Sequence, residues 1–113
     1  MFDCRCLPNP GKFEEYQVLT GLDTSVQDWL EAKEETVMFL NHVKGTLDLS
    51  VKRYIARDFE RLMVSCGCTG GQHRSVYVAE NLGKHFSRYP GLSVQLTHTE
   101  RPFWPASTQL QER

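Results

Sequence analysis

The sequence predicts a small, single α/β domain with a mostly parallel β-sheet flanked by helices. Three observations carry this expectation. "FDCRCL" (2–7) and "RLMVSC" (61–66) have strand character, one alternating and one continuously apolar. Long stretches with three-to-four-residue hydrophobic spacing lie between and after them. Strands separated by helices imply parallel pairing through crossover connections, with ligands held beyond the carboxyl ends of the strands.

The elements follow in order. Strand 2–7 is broken by "PNPG", two prolines and a glycine. "TGLDTSVQDWLEAKEE" offers Asp23, Thr24 or Ser25 as a helix cap and places Val26, Trp29 and Leu30 at helical spacing. A longer helix is expected from the stripe Val37, Leu40, Val43, Leu47, Val51, Tyr54, Ile55 and Phe59, read as core, with Gly45 a candidate kink or break near 45–50. Residues 61–66 suggest a buried parallel strand. Residues 73–88 suggest a helix offering Val76, Val78, Ala79, Leu82 and Phe86 to the core. "LSVQLTHT" (92–99) alternates and is expected to be a third strand. The domain is placed at 1–99, and 100–113 reads as an irregular tail that packs through Phe103 and Trp104 or leads into further sequence. A start almost directly on a strand suggests a piece of a longer protein.

With 113 residues the chain can bury one core, and 40% hydrophobic with 24% charged residues is a globular composition. The longest apolar runs, "VMFL" and "VYVA", exclude a membrane-spanning helix, and the expected location is the cytoplasm. The net charge of −1 argues against a protein built mainly to coat nucleic acid. Yet residues 1–50 carry nine acids and four bases, while 51–113 carry five acids and nine bases. The second half therefore suits an anionic ligand. The cysteines form two C-x-C pairs, Cys4/Cys6 and Cys66/Cys68, a spacing that departs from zinc knuckles and suits packing in a strand. His42, His85 and His98 have no metal-site spacing, so neither metal nor cofactor is expected.

The chemistry concentrates in "GCTGGQHRS" (67–75). Gly67, Gly70 and Gly71 allow a sharp turn that exposes several N–H groups in one concavity. The following helix adds unpaired N–H groups and the positive end of its dipole. Thr69 and Ser75 offer hydroxyls, Gln72 and His73 further contacts, and Arg74 can grip two phosphate oxygens. The expectation is an anion-binding loop. It has no lysine followed by Ser or Thr, so it is not a G-x-x-x-x-G-K-[ST] nucleotide loop. Cys68-x5-Arg74-Ser75 does resemble the phosphate loop of cysteine-dependent phosphatases, where a thiolate attacks phosphorus. Gly67 stands where tyrosine phosphatases carry histidine, and only Asp3 and Asp23 are candidates for a general acid.

"FDCRCLPNP", "TGLD" (20–23) and "GCTGGQHRSVYVAE" (67–80), in that order, resemble the C-terminal domain of RapZ-type (YvcJ-type) proteins over residues 2 to about 98. The resemblance implies a phosphofructokinase-subdomain-like fold and an N-terminal P-loop half outside this chain. It also implies a domain that, in enterobacterial members, senses glucosamine-6-phosphate and binds small regulatory RNA. The amino-sugar phosphate site so implied falls on Asp3, Arg5, Cys68, Thr69, Gly70, Gly71, His73 and Arg74. Three departures stand out. Gly11 replaces a histidine after "PNP", Gln72 replaces a loop lysine, and "ERPFWPAS" replaces a basic C-terminal cluster whose charge would neutralise RNA phosphates.

The first expectation is thus a non-catalytic regulatory domain that binds a phosphorylated small molecule, with Asp3, Arg5, Cys68, Thr69, Gly70, Gly71, Gln72, His73, Arg74 and Ser75 as ligand-binding residues. One alternative is a cysteine-dependent phosphatase with Cys68 as nucleophile. The other is an RNA-binding module using Lys52, Arg53, Arg57, Arg61, Lys84 and Arg88.

Overall fold

The computed structural model describes residues 1–105. Strand β1 (Phe2–Asp3) lies parallel to β2 (Cys66–Gly67), with Phe2 opposite Cys66 and Asp3 opposite Gly67. Helices α1 (Thr24–Glu31) and α2 (Glu34–Ala56) connect them, and α3 (Arg74–Phe86) follows β2. This is the expected α/β class with parallel pairing, reduced to a two-stranded sheet.

Each strand is shorter than its sequence pattern suggests, for a local reason. Alternation over residues 2–7 does not persist because the Asp3 carboxylate accepts the Arg5 N–H at 3.0 Å and caps a 3₁₀ turn at Cys4–Cys6. The Asx-type bond offers the backbone an alternative to the sheet ladder. Leu62, Met63 and Val64 are not a buried strand. They are solvent-facing, Met63 being 88% exposed. Residues 92–99 do not form a third strand either. That segment is held by side chains, with the His98 ring nitrogen 3.0 Å from Glu80 Oε2 on α3 and Leu96 beside Gly83.

The helices follow the sequence more closely. Asp23 occupies the cap position of α1, but its carboxylate turns back to accept the Thr20 N–H at 2.8 Å, closing the "TGLD" turn. α2 runs through Gly45 without a break, since nothing crowds that position and packing along one face holds the helix. Its buried stripe is Thr36, Leu40, Val43, Leu47 and Val51, whereas Val37, Ile55 and Phe59 are exposed rather than core. The helix ends as Asp58 enters the left-handed region at φ 55° and the Phe59 N–H donates to the Tyr54 carbonyl at 3.0 Å. That is the closing geometry of a helix C-terminus, tolerable for Asp.

The main core gathers Cys4, Leu7, Val26, Leu30, Leu40, Val43, Leu47, Val51, Tyr77, Val78, Leu82 and Phe86. A smaller cluster of Leu22, Val76 and Trp104 sits on the other side of the start of α3. Trp104 is 3% exposed and Phe103 80% exposed, so only one aromatic of the tail packs. Residues 106–113 lie outside the described residues. Among the described residues, no helix is long and apolar enough to cross a membrane.

Candidate anion-binding site at the start of α3

The loop from Gly67 to Arg74 leaves the carboxyl end of β2 and feeds α3, the end of the strands at which open α/β sheets bind their ligands. Gly70 and Gly71 take φ of 81° and 62°, two successive left-handed residues that only glycine adopts without strain. Among the described residues, the N–H groups of Thr69, Gly70, Gln72 and His73 donate to no protein acceptor. With the amino-terminal end of α3 they form a rim of hydrogen-bond donors with net positive potential.

Neighbouring segments fix the loop. The Gly21 N–H donates to the Gln72 carbonyl at 3.0 Å, and a Cβ on Gly21 would stand 2.6 Å from the Tyr77 nitrogen. Only glycine lets "TGLD" approach this closely. On the opposite side, Trp104 Nε1–H donates to the Gly71 carbonyl at 3.0 Å, and Glu100 packs where a Gly71 side chain would go. Neither contact has a local signature in the sequence, apart from a tryptophan between prolines.

The sequence-derived site residues divide into three sets. Gln72 and His73 hold the 16–19 segment with their side chains: Gln72 Nε2 donates to the Gln17 and Leu19 carbonyls at 2.8 Å each, and His73 Nε2 lies 2.8 Å from the Tyr16 carbonyl. A carbonyl only accepts, so Nε2 carries the proton in that tautomer. Burial, seconded by the charge of Arg74, pulls the His73 pKa down against the Tyr16 and Leu19 carbonyls, and the ring is neutral at pH 7. Asp3, Arg5, Cys68, Ser75 and Arg74 converge instead where β1, β2 and α3 meet. Thr69 and Gly70 are exposed on the rim.

Arg74 is the pivot. It is 6% exposed, and Nη1 donates to the Arg5 carbonyl at 2.9 Å and the Leu7 carbonyl at 3.1 Å. The guanidinium thereby ties the amino-terminal segment to the loop. Arg5 forms a two-point ion pair with Asp3, at 2.9 Å through Nε and 2.7 Å through Nη2, in an exposed setting. Those hydrogen bonds hold the Asp3 pKa down to about 2. Cys68 Sγ lies 3.2 Å from Ser75 Oγ and accepts the Ser75 N–H at 3.3 Å. Burial opposes ionisation of this thiol most strongly. The Ser75 hydroxyl, the Ser75 and Gly71 N–H groups and the Arg74 charge together outweigh it, and the pKa is lowered.

Among the described residues, no group of three or more His, Cys, Asp or Glu is arranged to hold a metal ion. A cleft of about 250 Å³ bordered by Glu80, Gly83, Lys84, Ser87, Val94 and Leu96 lies further along α3. Its lining carries the Glu80 carboxylate as well as the Lys84 ammonium, so an anion is better served by the open rim of the loop. Lys52, Arg53, Arg57, Arg61, Lys84 and Arg88 are exposed, in the later halves of α2 and α3 and just beyond.

A family model describing the RapZ C-terminal domain matches residues 1–102. The chain is 42% identical over 101 residues to a nucleotide-binding protein of Lactobacillus acidophilus, covering 88% of this chain and 33% of that relative. It is 39% identical over 110 residues to one of Marinobacter nauticus, covering 97% of this chain and 37% of the relative. A nucleotide-binding protein of Bordetella avium is 41% identical over 95 residues, with 84% and 33% covered. The chain thus spans about a third of the length of the curated relatives it matches.

Proposed function

The chain belongs to the RapZ C-terminal domain family, and from that premise we propose that it is a non-catalytic regulatory domain that binds a phosphorylated small molecule, specifically an amino-sugar phosphate, on loop 67–75. The observation that carries the reading is the rim of unpaired donors at Thr69, Gly70, Gln72 and His73, opening at the start of a 13-residue helix. Such an array suits a phosphate better than a neutral ligand, since aligned N–H groups and the helix dipole act together on negative charge. Thr69, exposed on the rim, adds a hydroxyl. Asp3, ionised at neutral pH, is an acceptor for sugar hydroxyls or an ammonium group. Arg74 contributes its charge from below while its Nη1 holds the base of the site. In the full-length protein this domain would be joined to the nucleotide-binding part that the longer relatives are named for. Calorimetric titration tests the reading: glucosamine-6-phosphate should bind, glucosamine should not, and Gly70→Val, which forces a β-branched residue to φ 81°, should abolish binding.

The cysteine-phosphatase reading has one observation in its favour, the Cys68 thiol poised by Ser75 and Gly71. In that reaction the thiolate would attack phosphorus, forming an S–P bond as the P–O bond breaks, and an acid would protonate the departing oxygen. Neither candidate acid is suited. Asp3 is held ionised by Arg5, and the Asp23 carboxylate is occupied by Thr20. Turnover of an aryl phosphate, lost in Cys68→Ser, would nonetheless establish it over the binding reading.

A further inference from the structure

Glu100 stands beside the glycine loop with a carboxylate that no ion pair engages among the described residues. The segment that carries it is fixed on both sides. Before it, the His98 ring nitrogen lies 3.0 Å from Glu80 Oε2 on α3, with the two side chains 10% and 17% exposed. After it, Trp104 is buried with Leu22 and Val76, and its Nε1–H donates to the Gly71 carbonyl at 3.0 Å. Between these anchors the chain makes a 3₁₀ turn, Arg101–Phe103, and the Phe103 N–H donates to the Glu100 carbonyl at 2.8 Å. Glu100 Cγ and Cβ consequently lie over Gly71, 2.5 Å and 3.1 Å from where a Cβ on that glycine would stand. The residue is nonetheless exposed. Gly71 sits between Gly70 and Gln72, two of the unpaired donors on the rim.

We propose that Glu100 is the specificity-determining residue of the loop, selecting phosphate esters that also carry a protonated amine over those that do not. The inference rests on the reading of loop 67–75 as a phosphate site. A carboxylate beside such a site repels a ligand whose only charge is its phosphate. The same carboxylate attracts an ammonium group on the body of the ligand, so discrimination has a repulsive and an attractive part. Asp3 is less suited to that task, because Arg5 already donates to both of its oxygens, at 2.9 Å and 2.7 Å. That arrangement leaves Asp3 to neutral hydroxyls. The position of Glu100 is set instead by backbone bonds and packing, which leaves its charge for the ligand.

The test is calorimetric titration of the full chain and of Glu100→Gln at neutral pH and low salt. The probes are glucosamine-6-phosphate, glucose-6-phosphate and inorganic phosphate. Glutamine keeps the Cβ and Cγ that cover Gly71 and removes only the charge. Wild type should favour glucosamine-6-phosphate over glucose-6-phosphate by about two- to fivefold, the scale of one exposed charge pair. In Glu100→Gln that ratio should fall to about one. The amine ligand weakens, while glucose-6-phosphate and inorganic phosphate bind as tightly as before or tighter. Added salt should shrink the wild-type preference. The proposal is overturned if wild type binds the two sugar phosphates equally, or if Glu100→Gln keeps the wild-type preference. A preference lost in Asp3→Asn but kept in Glu100→Gln would assign the amine to Asp3 instead. If neither sugar phosphate nor inorganic phosphate binds wild type, the reading of the loop falls together with the role of Glu100.

Discussion

Replacing Gly21 by alanine should destabilise this domain more than a surface glycine has any reason to. The new methyl would collide with the His73 carbonyl oxygen and stand 2.6 Å from the Tyr77 nitrogen and 2.9 Å from Val76 Cβ. The first two are backbone atoms that hydrogen-bond to each other at 3.0 Å, so the clash falls on the first turn of α3. Overpacking of this kind costs about 1–3 kcal/mol. Displacing the "TGLD" turn also weakens the Gly21–Gln72 bond, and losing such a bond costs about 1 kcal/mol. The expected loss is therefore about 2–4 kcal/mol, a large share of the roughly 5–15 kcal/mol that holds a domain folded. It corresponds to a fall in Tm of roughly 8–17 °C. Urea unfolding followed by tryptophan fluorescence, with Gly45→Ala as the internal reference, measures it. Gly45 has open space around it in an otherwise continuous helix, and its replacement should stabilise by about 0.5–1 kcal/mol. A Gly21→Ala protein within about 1 kcal/mol of wild type would refute the close approach on which the loop geometry rests.

Three further outcomes are expected. The Asp48 carboxylate accepts the Tyr89 hydroxyl at 2.5 Å and lies 2.9 Å from His85 Nε2, contacts that lower its pKa in that order. A lowered carboxylate contributes stability above its unfolded pKa and loses it as pH falls through the folded value. Urea midpoints should accordingly decline less steeply below about pH 4 in Asp48→Asn than in wild type, and an unchanged acid limb would contradict the bridge between α2 and α3. Ser75→Ala removes the hydroxyl that favours the Cys68 thiolate, so iodoacetamide should alkylate Cys68 several-fold more slowly at pH 7, as read by peptide mass spectrometry; an equal rate would show that Ser75 does not poise the thiol. Any association with single-stranded RNA through the six exposed cations should be electrostatic, with log affinity falling against log salt at a slope of about −4 if all engage. A flat salt profile would contradict that.

What the sequence made legible was the part governed by local rules. The stripe Leu40, Val43, Leu47 and Val51 announces α2, and "TGLD" announces the turn and cap before α1. The turn between β2 and α3 could be read from Gly70, Gly71 and the amphipathic run after Arg74. The strands were less legible because apolar character in "RLMVSC" and alternation in "LSVQLTHT" describe a strand that has a neighbour along its length, and among the described residues only the end of the first segment, at Ser65 and Cys66, meets one. Asp3 illustrates the other failure: a single carboxylate captures the Arg5 N–H and ends a strand that the pattern would continue. At the site, residue types alone marked the loop. The division of labour within it depends on contacts across more than fifty residues of sequence. Gln72 and His73 reach back to Tyr16, Gln17 and Leu19, and Arg74 reaches back to Arg5 and Leu7. No local pattern encodes such pairings.

The central claim is that loop 67–75 and the β1 terminus form one site for a phosphorylated sugar. A backbone amide shift titration of this chain with glucosamine-6-phosphate, with inorganic phosphate and glucosamine as controls, addresses it most directly. The account predicts saturable shifts concentrated at Thr69, Gly70, Gln72 and His73, with a second group at Asp3 and Arg5, and weaker responses to either control. Unmoved amides across 67–75 at saturating sugar phosphate would contradict it and leave the glycines as a strand-to-helix turn.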